Sequence, residues 1–85
     1  MTLLDVVDVQ VTDEYQLLLT FENYEQRFFD MRPFIETPPW NRLKHGDVFR
    51  KVHIQQGTIV WPGKIDIDPE TLYELSTVTE KTAKI

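Results

Sequence analysis

Two successive segments with apolar residues at every second position constrain this chain most. Tyr15, Leu17, Leu19 and Phe21 alternate with Gln16, Leu18 and Thr20, and Phe28-Phe29 follows the polar stretch Glu22-Asn23-Tyr24-Glu25. Period two is the repeat of a strand, whose successive side chains point to opposite faces of a sheet. Asn is the non-glycine residue that best tolerates the positive φ of a tight turn, so the two segments are expected to form a hairpin. Either Glu22-Asn23 or Asn23-Tyr24 can fill the two central turn positions, and both choices pair odd positions with even ones. Phe28 is then expected beside Leu17 and Leu19, and Phe29 beside Leu18. On that register Leu18 and Phe29 form a second apolar face that a helix or a second subunit should cover.

The remaining elements follow from local signals. Val7, Val9 and Val11 alternate with Asp8 and Gln10 as a strand, and Thr12-Asp13-Glu14 is the turn after it. Met31 to Glu36 suits one helical turn, broken by Pro38-Pro39, and Trp40 to His45 suits another, ended by Gly46. Val52 and Ile54, the turn signal Gln56-Gly57 and the run Thr58-Ile59-Val60-Trp61 read as a second hairpin, stopped by Pro62-Gly63. The best-specified start is that of a short C-terminal helix. Asp68 can cap its first amides, Pro69 suits the first helical position, and Glu70 complements the positive end of the helix dipole. Ile67 and Leu72 are spaced as a hydrophobic staple, and Leu72 and Leu75 are expected to face the sheet together. From Ser76 onward no core-facing pattern is present. The expected fold is a single α+β domain over residues 1–75, with about five strands in two antiparallel hairpins, connecting helical turns, a short C-terminal helix, and a flexible tail over 76–85.

Composition narrows the function classes. The 85 residues suffice for one core, and a chain this small gains from a partner, often a second copy. With no Cys there is no disulfide, thiolate metal site or cysteine nucleophile. No apolar run approaches a membrane span and no leader pattern opens the chain, so a soluble cytoplasmic protein is expected. The net charge of −5 is unevenly distributed: residues 1–30 carry −6, residues 31–64 carry +4 and residues 65–85 carry −3. The overall sign argues against general affinity for nucleic acid phosphates, and direct reading of DNA is not expected.

Candidate chemistry is sparse. Asp66, Asp68 and Glu70 alternate as carboxylates but lack the Gly and distal Glu of a calcium loop, and helix capping already accounts for two of them. His45 and His53 have no partner at metal-ligand spacing, and Ser76, the one serine, has no elbow motif around it. The three glycines are too scattered for a phosphate loop. No catalytic, cofactor-binding or metal-binding residue is therefore expected. The candidates for contact with a partner are Arg42, Lys44, Arg50 and Lys51 with the nearby Trp40, alongside the Leu18–Phe29 face. An ordinary solvated face, paired with the acidic N-terminal third of the same or another chain, is the plainer reading of those four cations.

Phe21, Asn23, Glu25, Asp30, Phe49, Trp61-Pro62-Gly63, Asp66, Asp68-Pro69-Glu70 and Leu72-Tyr73 together resemble the small bacterial domain-of-unknown-function family 2442. The similarity runs from about Val6 to Leu75. The family commonly carries Gly where this chain has Tyr24, a departure that would lengthen the hairpin turn. The resemblance implies an α+β fold and a bacterial cytoplasmic setting, with no activity or catalytic residue to transfer. It also implies association with helix-turn-helix domains or toxin-like neighbours. The function expected is a small non-enzymatic protein-binding module that self-associates, as a dimer, and engages the product of a neighbouring gene. The alternative is a regulatory or antitoxin-like component acting with a DNA-binding or toxin partner.

Overall fold

The turn after Phe21 sets the register of the first sheet. In the computed structural model, which describes residues 4–79, the Phe21 N–H donates to the Glu25 carbonyl at 2.9 Å and the Tyr24 N–H to the Phe21 carbonyl at 2.8 Å. Three residues therefore lie between the paired ends, where two were expected. Tyr24 sits at φ 70°, the left-handed residue that closes a three-residue hairpin loop. Strands β2 (Gln16–Phe21) and β3 (Gln26–Asp30) consequently pair Leu17 with Phe29, Leu18 with Phe28 and Leu19 with Arg27. Odd residues now meet odd ones, and the expected faces of Phe28 and Phe29 are exchanged.

A left-handed L-residue other than Gly or Asn is disfavoured by about 1–2 kcal/mol. Tyr24 is 89% exposed, so its ring gives little packing in return. Replacing Tyr24 with Gly is expected to stabilise the domain by about 1 kcal/mol, read as a higher urea midpoint at unchanged slope.

Strand β1 (Val6–Asp13) pairs with β2 through the two-residue turn Glu14-Tyr15, with Tyr15 at φ 61°. Its register shifts between Val6 and Asp8, so Val6 takes the buried position opposite Phe21 while Val7 is left 53% exposed. The alternation through Val7 predicted the reverse, because a bulge leaves no mark in the hydrophobic pattern. Strand order in this sheet is β1-β2-β3-β7.

Residues 32–36 form consecutive turns in place of the helical turn expected there, and two 3₁₀ turns follow at Trp40–Lys44 and Val48–Lys51. The second sheet runs β4 (His53–Gln55), β5 (Thr58–Trp61) and β6 (Ile65–Ile67) in sequential antiparallel order. Gln56 and Gly57 both have positive φ, the conformation a two-residue hairpin requires. Pro62-Gly63 does not stop the sheet: with Gly63 and Lys64 at positive φ the chain reverses and Ile65 pairs with Trp61.

Helix α1 spans Pro69–Leu75, and Asp68 caps it by accepting from the Thr71 N–H at 3.1 Å and the Thr71 hydroxyl at 2.8 Å. Leu72 is fully buried, but Leu75 at the helix end is 59% exposed. Tyr73 makes the second contact instead, its ring edge-to-face with Phe21 at 5.2 Å. Beyond the helix, β7 (Thr77–Val78) pairs with Arg27 and Phe28 of β3, so this part of the expected tail belongs to the sheet. Residues 80–85 of that tail lie outside the described residues. Among the described residues the fold is α+β with seven strands in sheets of four and three, and not about five in two hairpins. The inner faces of both sheets, with Leu43, Phe49 and Leu72, form a single core.

Candidate functional site

The basic segment is built from two 3₁₀ turns, each pinned by one buried apolar residue. Leu43 anchors the first and Phe49 the second, whose carbonyl accepts from the Trp61 indole N–H at 3.0 Å. Phe49 also meets the Tyr15 ring edge-on at 5.3 Å. A single inward residue per turn leaves its neighbours outside, so Arg42, Lys44, Arg50 and Lys51 are all exposed. Trp40 is half-buried. Its indole N–H donates to the Asp66 carbonyl at 3.2 Å and its ring stands edge-on to Phe34 at 5.4 Å, which ties the start of the basic segment to strand β6.

Ion pairing within the chain is local. Glu25–Arg27, Asp30–Arg32 and Glu36–Lys44 form pairs at 2.8, 2.8 and 2.9 Å. Arg42, Arg50 and Lys51 have no ion-pair partner among the described residues, and no pair there joins the acidic N-terminal third to the basic segment. Of the four cations, Lys44 is paired with Glu36, whereas Arg42, Arg50 and Lys51 are not within ion-pair distance of any acid among the described residues.

The structure parts Leu18 from Phe29. Phe29 has no exposed surface and stacks on Phe34 at 5.6 Å, deep in the core. The pair on the outer face of the four-stranded sheet is Leu18 and Phe28, both half-buried, amid Gln10, Thr20 and Gln26. The three-residue turn is the physical reason.

Asn23, Glu25, Arg27 and Tyr73 form a cluster that was not expected as a unit. The Tyr73 hydroxyl donates to a Glu25 carboxylate oxygen at 2.8 Å, the Asn23 amide donates to the same oxygen at 3.2 Å, and Arg27 Nε donates to the other oxygen at 2.9 Å. The Arg27 guanidinium lies 4.0 Å from the Tyr73 ring centre and donates to the Ser76 carbonyl at 3.3 Å. Burial pushes the Glu25 carboxyl up, but the Tyr73, Asn23 and Arg27 contacts together outweigh it and hold the group below its ordinary value. The one sequence signal for this cluster was Arg27 itself, the only base among seven acids in the first 30 residues; that it faces the core beside Leu19 follows from the three-residue turn.

A cleft of about 470 Å³ opens between the β1–β2 turn and the two 3₁₀ turns, with Asp13, Glu14, Asp47 and Arg50 among its lining residues. Among the described residues no three His, Asp or Glu side chains gather closely enough to hold a metal ion, and no helix is long and apolar enough to cross a membrane. A family model described as "Protein of unknown function (DUF2442)" matches residues 6–77. No curated protein and no solved structure matches the chain.

Proposed function

The chain belongs to the DUF2442 family, and from that premise we propose that it is a non-enzymatic protein-binding module that self-associates and offers its basic 3₁₀ segment to an acidic protein surface. The observation that carries the reading is the exposed, unpaired state of Arg42, Arg50 and Lys51 in a chain with a net charge of −5. The buried Leu43 and Phe49 fix the backbone from which the exposed cations project, so docking orders only the side chains themselves. Self-association is motivated by the small core of an 85-residue chain. Open clefts without converging acid–base pairs favour binding over catalysis.

The test is co-expression with the product of the neighbouring gene, including any toxin-like or DNA-binding protein there. Retention is expected from the native chain, weakening as salt rises. The triple substitution Arg42→Ala, Arg50→Ala and Lys51→Ala is expected to lower it by roughly tenfold or more while leaving the melting temperature unchanged. Retention indifferent to both salt and the substitutions would sink the basic-surface reading.

A further inference from the structure

The strand edges of this molecule differ in how they are finished. Strand β7 is only two residues long and β4 only three. On β6 the Asp66 carbonyl is taken by the Trp40 indole. Strand β1 is eight residues long and pairs with β2 on one side alone. Across its other side the Val6 N–H donates to the Gly57 carbonyl at 2.8 Å, and no further backbone partner is found there among the described residues. Alternate residues of a strand turn their N–H and C=O groups to each side, so the edge beyond Val6 presents a row of unmet donors and acceptors. Pairing with β2 is regular over Asp8–Val11, between the two register shifts, and the edge is therefore straight over that stretch.

We propose that this edge of β1 is where two copies of the chain join, pairing antiparallel about a two-fold axis to make one continuous sheet. The inference rests on the reading of the domain as self-associating, and it names the surface. A two-fold axis normal to the sheet keeps the core-facing side of one copy beside that of the other. Four residues, Asp8 to Val11, can lie on the axis within the regular stretch, and centring on Val11 sets Asp8 opposite Glu14, which is disfavoured. Centring on Asp8 sets two carboxylates opposite each other and is disfavoured. Centring on Val9 or Gln10 places Asp8 opposite Gln10 or Thr12, both uncharged, and places Val9 opposite Val9 or Val11. Val9 and Val11 are half-buried at the margin of the core, so the partner's valines complete their burial. Over Asp8–Val11 the self-pairing is thus matched in backbone and in apolar surface and sets no two carboxylates directly opposite each other.

Sedimentation over a concentration series, with hydrogen exchange at low and high concentration, tests this. The expected result is a reversible dimer in which amides of residues 7–12 gain protection as it forms. Gln10→Asp sets like charges across the axis in either register, opposite Asp8 or opposite itself, and is expected to raise the dissociation constant roughly tenfold. Gln10→Asn, of the same charge as the native residue, should leave it within a factor of about two. Gln10 is exposed, so both variants should fold. A monomer at every concentration removes the self-association reading and this proposal together. A dimer whose new protection lies elsewhere, or which ignores Gln10→Asp, removes this proposal alone.

Discussion

Phe29→Ala is expected to destabilise the domain by about 3–5 kcal/mol, while Leu18→Ala costs about 1 kcal/mol or less. The two residues differ by register alone. Phe29 pairs with Leu17 on the core face, has no exposed surface and stacks on Phe34, so truncation removes the ring from the core and leaves a cavity between the sheet and the turns after β3. Leu18 pairs with Phe28 on the outer face, where loss of its side chain uncovers half-wet surface without opening a void. Urea denaturation of both variants decides the matter. Equal costs, or a larger one at Leu18, would contradict the three-residue turn. For a domain of this size, a loss at the upper end of the Phe29 range approaches the whole stability, so the variant is to be compared with Phe29→Leu, where about 1–2 kcal/mol is expected.

That inversion shows which parts of the fold were legible in the sequence. The helix start was legible because its signals are local: Asp68 meets Thr71, Pro69 needs no amide partner, and both lie within one turn. Gln56-Gly57 was legible for the same reason, since Gly at the second turn position admits the positive φ directly. The β2–β3 turn was legible only through the resemblance, whose departure at Tyr24 pointed to a longer loop; the residues themselves suggested two central positions, because Tyr carries no propensity for the left-handed conformation that closes it. A one-residue error in loop length then moved every side chain of β3 to the other face. Strand β6 was missed because Pro62-Gly63 reads as a stop where it is a turn, and β7 because two residues carry no periodicity and form a strand only by pairing with Arg27 and Phe28. Leu75 and Val7 failed for a related reason: a helix of two turns and a bulge each leave one apolar residue stranded outside. Of the candidate site, the cations were legible as a cluster in sequence. That Arg42, Arg50 and Lys51 stand exposed without an ion-pair partner among the described residues, while Lys44 meets Glu36, follows from the packing of Leu43 and Phe49.

Arg27→Met is expected to cost about 2–3 kcal/mol near neutral pH, from the loss of one ion pair in a mostly covered site. The side chains of Arg27 and Glu25 are only 15% and 14% exposed. The substitution removes the charge, the guanidinium stacked on Tyr73, the hydrogen bond to Ser76 and the partner of Glu25. Its pH dependence identifies the cause. Glu25 is held below its ordinary value in the folded protein, so the unfolded chain binds the proton more readily. The contribution of this group to stability is therefore present above its unfolded value, near 4.5, and is lost as pH falls through the lower folded value. Asp30, drawn down by its Arg32 hydrogen bonds, and Asp68, drawn down by Thr71, lose stabilisation in the same direction in both proteins. The difference between native protein and Arg27→Met consequently isolates Glu25. It should be greatest at neutral pH and shrink in acid, because burial is no longer outweighed in the variant and its carboxyl protonates earlier. Urea midpoints for both proteins between about pH 3 and 7 give this difference. A gap constant across that range would assign the loss to packing on Tyr73, whereas a closing gap places the charge of Arg27 at the joint that fastens α1 and β7 to the hairpin.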